Sequence, residues 1–362
     1  MQIIERFPIR SLYNNERFLE IGIGDVTDSS SPVDILCVSA FPNDYAPLPR
    51  TVIGALDAKG ISVAQLALDK ALDMRSTWHC WVSKEQDREI RRILCFEHRA
   101  MVGASSSRQI GDQVGGVFRT IREIVLAKED GNGMNGESVL DCVRIPLLAT
   151  GDQGEDRLNM LDAIIRQAYL SLAGEVPVRR VQFVLRPDAP MLNNLLVRIG
   201  QAFEKVRTEA AQLHTPVEHV FDYFISYRHD ARDSVDPVVA ALRTARKDLR
   251  LFIDREQLAP GNFWKADLMN GLRRSAQVLC FITDTYPESP ECMDEFHASV
   301  CMNREHKHRR FLLPLDLLTT RDFATLPGSI RNVQCLKQES DEDQLPETIA
   351  NRILKSEGAA LS

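Results

Sequence analysis

The stretch FDYFISYRHD, residues 221–230, limits what this chain can fold into more than any other. Phe221, Tyr223, Ile225 and Tyr227 alternate with Asp222, Phe224, Ser226 and Arg228. That period of two, carried by aromatic and β-branched residues, predicts a buried strand. The strand ends in polar residues: Ser226, Arg228, His229 and Asp230. Val238, Val239, Ala241 and Leu242 then recur at helical spacing, which predicts a helix over 236–245. A strand that feeds a helix and leaves polar groups at the junction is the unit of open α/β sheets, whose ligands sit beyond the strands' carboxyl ends.

The same unit repeats downstream. LRLFID, 249–254, predicts a second strand, and Pro260-Gly261 marks a turn before a short helix over 264–274. AQVLCFIT, 276–283, is apolar almost throughout, as a strand covered on both faces must be. Ser289 is placed to cap the next helix, with Pro290 in its first turn. Residues 310–318 predict a fourth strand, 333–336 a short fifth, and 343–356 a closing amphipathic helix. Strands alternating with helices imply a parallel, doubly wound sheet.

In order, FDYFISYRH, FIDREQLAPGNFW, VLCFITDTYPES and CMDEF resemble the Toll/interleukin-1 receptor (TIR) domains, from about Val217 onward. The resemblance implies a flavodoxin-like parallel five-stranded TIR sheet and, in enzymatic members, a glutamate that cleaves NAD. The pattern S-x-W-C-x-x-E places that residue at Glu295, three after Cys292; the family's tryptophan is replaced by Glu291. A second carboxylate there is expected to raise the Glu295 pKa. NAD is the substrate, and no tightly bound cofactor is expected. Nicotinamide departs neutral from a cationic ring, so no general acid is needed, and one carboxylate suffices to steady an oxocarbenium-like sugar. NAD binding is assigned to Ser226, Arg228, Asp254, Phe263 and Trp264. An Arg228–Asp254 ion pair, and Trp264 packed under its own helix, remain open alternatives. In the family the turn 255–263 mediates head-to-tail assembly, here through Leu258, Pro260 and Gly261. Such heterologous contacts build homo-oligomers or filaments.

The first two hundred residues also alternate. Strands are predicted at 17–27, 33–40, 77–83, 92–98, 139–148 and 181–185. Helices are predicted at 51–74 (broken near Gly60), 116–128, 157–173 and 191–213, and GASSSRQIGDQVGG reads as a loop. The succession GDVT, VDILCVSA, PLLATGDQG, VQFVL resembles a macro domain, the ADP-ribose-binding fold, over roughly residues 17–187. That implies a macro-like mixed α/β/α sandwich. The resemblance assigns adenine to Asp25 and the diphosphate to Thr150, Gly151, Gln153 and Gly154; an ordinary strand-to-helix turn is the bland alternative for that loop. SAFPND, 39–44, and YAPLPRT replace the segments that carry hydrolase activity in catalytic members, so binding without hydrolysis is expected.

The resulting division is a nucleotide-sensing unit over 1–213, a linker over 214–217 and the TIR unit over 218–362. Pro216 stops the preceding helix, and so short a linker can transmit orientation from one unit to the other. Two functions from different classes fit: a NAD+ nucleosidase (glycohydrolase or ADP-ribosyl cyclase) governed by an ADP-ribose-like nucleotide in bacterial antiphage defence, and a non-catalytic scaffold assembling with other TIR domains.

Composition narrows the rest. With 44 Lys and Arg against 51 Asp and Glu, the chain carries a net charge of −7, which gives no footprint for nucleic acid or an anionic membrane. The basic run NREHKHRR reads as a solvated helix end. The absence of a long apolar run or a signal-like start predicts a cytoplasmic protein. The eight cysteines stand singly, without a CxxC pair, which predicts reduced, buried thiols and no metal site.

Overall fold

The computed structural model describes residues 1–10, 16–98, 107–126, 140–150, 156–173, 178–189, 191–210, 219–253, 270–305, 311–337 and 345–358. Its backbone clusters into two compact units, Met1–Glu209 and Ala210–Ser362.

The first unit is built on an eight-stranded sheet. In chain order its elements are β1 (Gln2–Arg10), β2 (Glu16–Ile23), β3 (Val33–Ala40), α1 (Val52–Asp57), α2 (Val63–Leu66), β4 (Lys70–Met74), α3 (Arg75–Trp78), β5 (Cys80–Ser83), β6 (Ile90–Glu97), α4 (Ser107–Leu126), β7 (Leu140–Pro146), α5 (Arg157–Ala173), β8 (Val178–Leu185) and α6 (Leu192–Ala210). The strand order is β1-β2-β8-β7-β3-β6-β5-β4. The five central strands run parallel, while β1 at one edge and β5 and β4 at the other are antiparallel. Val33 to Val38 are buried at every position, so β3 is covered on both faces. Leu36 and Val38 pack with Ile53 and Leu56 of α1 in one core cluster, and α4 and α5 pack on each other.

The second unit carries β9 (Phe221–Ser226), α7 (Arg232–Ala245), β10 (Leu251–Ile253), β11 (Ser275–Ile282), a helix over Pro290–Glu305, β12 (Leu312–Asp316) and a final helix over Pro346–Gly358. The sheet is parallel, in the order β10-β9-β11-β12. Tyr223 and Ile225 face a core shared with Val235, Val238 and Leu242 of α7 and with Ile349 and Ile353. Phe224, on the other face, stacks on Phe252 with ring centroids 5.1 Å apart. Among the described residues the expected fifth strand is reduced to a bridge between Leu315 and Leu336, whose N–H and C=O bond Pro314 and Asp316 at 2.8 and 3.1 Å. No helix among them is long and apolar enough to cross a membrane.

The structure differs from expectation at four places in the first unit. The start of the chain forms β1, an edge strand whose mostly exposed residues hide its pairing with β2; an edge also tolerates Pro8. Residues 70–74, expected as a helix end, form β4, because the antiparallel register with β5 supplies their backbone partners. The strand expected from Thr77 starts at Cys80, after α3 ends at left-handed His79. Helix α4 starts at Ser107, inside the segment expected as a loop. Gly116 serves packing: a Cβ there would lie 2.6 Å from the Trp78 carbonyl oxygen.

One buried polar chain ties the sheet to the loop after β2. Arg144, 1% exposed, donates from Nε to Gln182 Oε1 at 3.0 Å. Its Nη1 donates to the carbonyls of Val26 (3.1 Å) and Asp28 (2.5 Å). Gln182 Nε2 in turn donates to Glu20 Oε2 at 2.9 Å. Replacing Arg144 with Met leaves these buried acceptors unpaired. The expected loss is about 3 kcal/mol in urea denaturation; a loss under about 1 kcal/mol would contradict this role.

Candidate functional sites

In the second unit, polar groups gather at the carboxyl ends of β9 and β11. Ser226, the last residue of β9, is 1% exposed, and its Oγ lies 2.8 Å from the hydroxyl of Tyr286. Tyr286 is fully buried and donates to the carbonyl of Cys292 at 3.1 Å. Cys292 lies in the first turn of the Pro290–Glu305 helix, where its N–H donates to Ser289 Oγ at 3.2 Å; Ser289 therefore acts as the expected cap. Glu295 follows three residues later on the same helical face and is 6% exposed; Asp294 is 7% exposed.

The surroundings are apolar enough to keep the neighbouring thiols and phenol neutral. Burial pushes the Cys280 thiol up to about 12, and the nearby Glu295 charge adds to the shift. Burial also raises Cys292, again reinforced by Glu295, and holds Tyr286 well above the usual phenol range. His297 faces Ser329 Oγ at 3.2 Å. Among the described residues no group of three or more His, Cys, Asp and Glu could hold a metal.

Arg228 sits at the rim. Its Nη1 donates to the Thr285 carbonyl at 2.9 Å and to Glu288 Oε2 at 2.7 Å, and its Nε lies 3.4 Å from Asp230 Oδ2. Its partners among the described residues are therefore Asp230 and Glu288. Asp254, Leu258, Pro260, Gly261, Phe263 and Trp264 lie outside the described residues. Two residues here escaped sequence reasoning. Asp284 accepts from Thr319, Thr320 and Arg321, and these bonds, that from Thr319 foremost, hold its carboxyl far below the usual range. Tyr286 is the hub of the buried network; its only signal was an aromatic residue before proline just after a strand.

In the first unit a cavity of about 570 Å³ opens at the carboxyl ends of β2, β3, β7 and β8. Gly24, Ser39, Pro146 and Leu185 line it at the strand ends, and Phe41, Leu48 and Ile53 form an apolar wall. Thr150 is among the lining residues; Gly151, Gln153 and Gly154 lie outside the described residues. Asp25 is not among the lining residues, although Gly24 and Val26 are. Its Oδ1 accepts from Thr27 N and Oγ1 at 2.8 and 2.7 Å, and its Oδ2 pairs with Lys59 Nζ at 2.9 Å. Burial would raise its pKa, but the bonds from Thr27 and Lys59 prevail and lower it.

The cavity wall is strained and basic. Ala149 and Arg50, both lining residues, adopt left-handed backbone with φ of 54° and 66°. Such strain gathers at ligand-binding loops. The Ala149 N–H donates to Ser39 Oγ at 3.1 Å, tying the loop after β7 to β3. Arg50, Arg157 and Arg186 line it together with Asp44 and Asp188. Arg186 is held by Asp188 through two bonds of 2.9 and 2.6 Å.

Residues 224–350 match the family model described as the TIR domain, so the second unit carries a TIR domain. Among solved structures, the chain is similar to a singly substituted macrodomain of Oceanobacillus iheyensis, at 15% identity over 58% of this chain and 96% of that one, with a TM-score of 0.41. A Trypanosoma brucei macrodomain in complex with ADP gives 12% identity, 52% and 68% coverage and a TM-score of 0.35. The same macrodomain in complex with ADP-ribose gives 14%, 52%, 68% and 0.33. No curated protein matches the chain.

The buried thiols yield a direct check. At about pH 8, where a free cysteine is partly thiolate, Cys280 and Cys292 are expected to resist iodoacetamide in the folded chain. Peptide mass spectrometry showing either labelled as fast as in the unfolded chain would contradict the packing around Glu295.

Proposed function

We propose that this chain is a NAD-cleaving TIR effector, a NAD glycohydrolase or ADP-ribosyl cyclase, governed by an ADP-ribose-type nucleotide in the N-terminal cavity. The observation that carries the reading is Glu295, a carboxylate 6% exposed on the helix that follows β11, within electrostatic reach of Cys280 and Cys292. A carboxylate kept in such surroundings meets a developing positive charge with little competition from water. The cleavage needs only that: nicotinamide leaves neutral, and Glu295 steadies the oxocarbenium-like ribose or orients its hydroxyls. Arg228, at the rim and 34% exposed in its side chain, is available to a cofactor phosphate if it releases Glu288.

For the regulatory half, the support is the cavity at the strand ends, of ordinary size for a small-molecule site, together with the order of macro-like sequence motifs. The nucleotide is proposed to lie against Thr150 and the 151–154 loop, with Asp25 at the edge. Binding favours an arrangement in which TIR domains meet through Leu258, Pro260 and Gly261, provided the assembled state binds nucleotide more tightly. Destruction of NAD on sensing a nucleotide suits cytoplasmic antiphage defence. The rival reading, a non-catalytic TIR scaffold, is favoured by Ser226 and Arg228, both of which are engaged inside the fold.

Nicotinamide release separates the two readings. Glu295→Gln is expected to lower it about a hundredfold or more while leaving the thermal midpoint within a few degrees (roughly) of the parent. Undiminished release in a folded Glu295→Gln protein would refute the assignment. Gly261→Arg is expected to abolish multimers and activity together; an unchanged sedimentation profile would count against the assembly surface.

A further inference from the structure

Ser226 was expected to touch NAD, yet its hydroxyl is turned away from solvent. It belongs to a directed chain of hydrogen bonds. The Tyr286 hydroxyl has one proton, and it donates to the Cys292 carbonyl, which can only accept. The 2.8 Å contact with Ser226 must then have Ser226 Oγ as donor. The chain runs from the end of β9, through the residue after β11, to the first turn of the helix carrying Glu295. Ser226 is 1%, Tyr286 0% and Cys292 4% exposed, so water does not compete for these bonds.

The same turn is gripped elsewhere. Ser289 accepts from Cys292 N–H, so both backbone groups of Cys292 are fixed by side chains outside the helical ladder. Arg228, two residues beyond Ser226, holds the Thr285 carbonyl at 2.9 Å, next to Tyr286. Further along the helix, Ser299 Oγ donates to the Glu295 carbonyl at 2.7 Å. Glu295 thus follows a turn whose backbone is tied to the sheet through Tyr286.

From this geometry we infer that Tyr286, with Ser226 behind it, is the positioning residue that sets the reach of Glu295 toward the scissile glycosidic bond. This deepens the reading in which Glu295 cleaves NAD, and rests on it. Neither side chain touches the substrate; each acts through the Cys292 carbonyl. Small displacements of a reacting group carry large kinetic penalties, so loss of one buried hydroxyl is expected to show in turnover rather than in affinity.

The test uses the full-length chain and nicotinamide release, measured with ADP-ribose, its cyclic variants or related nucleotides added, with the parent protein and Glu295→Gln as references. Tyr286→Phe keeps the ring and removes both bonds; kcat is expected to fall about tenfold to a hundredfold, with KM within about twofold of the parent. Ser226→Ala, a smaller change that guards against misfolding of the tyrosine variant, is expected to move the same parameter in the same direction. The double variant should be no worse than Tyr286→Phe alone, because both hydroxyls act through one carbonyl. A merely structural role would instead lower the folded fraction and leave kcat per folded molecule unchanged. Full kcat in folded Tyr286→Phe, a change confined to KM, or additive losses in the double variant would each overturn the inference. Parent protein that releases no nicotinamide with any of ADP-ribose, its cyclic variants or related nucleotides present would overturn the NAD reading itself and this inference with it. An active parent, sensitive to Glu295→Gln but indifferent to Tyr286→Phe, would overturn the positioning role alone.

Discussion

A parallel strand buried on both faces leaves its polar side chains little room except at its ends. That constraint organises both halves of this chain. In the first unit β2, β8, β7 and β3 run the same way, and their carboxyl ends open on one cavity. In the second, β9 and β11 are parallel neighbours, with Ser226 opposite Cys280 in register, and the buried polar residues collect just beyond them. The ladder that satisfies the backbone thereby also aligns the strand ends from which each site is built.

What holds each site in shape is a short polar chain anchored on a strand. Arg144 of β7 grips the carbonyls of Val26 and Asp28, fixing the loop that borders the cavity. Ser226 of β9 fixes the Glu295 helix through Tyr286. In each case the bond that reaches the loop or helix ends on a main-chain carbonyl, so it constrains backbone, which side chains then inherit. Both chains lie out of water, where an unmade hydrogen bond costs more than a made one gains. Burial, reinforced by the Glu295 charge, holds Cys280 and Cys292 as neutral thiols against the hydrogen bonds of Tyr286, Ser226 and Ser289, which pull the other way.

The sequence was most informative where burial imposes a period. Strands β3 and β11 were legible because apolar residues fill consecutive positions, β9 because of its period of two, and the cap at Ser289 was legible from its proline and spacing. Edge strands were not. The residues of β1 are mostly exposed and carry no such pattern, and β4 acquires its strand conformation from pairing with β5. Glycine misled in α4, where Gly116 permits close approach to Trp78 and does not mark a turn. In the proposed sites, Glu295 and Thr150 were singled out by motif order, and the fold places them on a buried helix face and in the cavity lining. The engagement of Asp25 with Lys59 could not, since those residues are distant in sequence and meet only through the fold. Tyr286 was hidden for the same reason, its partners lying on β9 and on the next helix.

The central claim joins a nucleotide in the cavity to NAD cleavage at Glu295, and one titration tests it most directly. ADP-ribose, its cyclic variants and related nucleotides are added to the full chain, with binding followed by calorimetry and nicotinamide release followed in parallel. The account predicts that one of these ligands binds and that release rises with the same half-saturation as binding. Replacing Gly151 and Gly154 with bulkier residues should abolish both responses. Full release without any nucleotide, or saturable binding that leaves the rate of NAD loss unchanged, would contradict it.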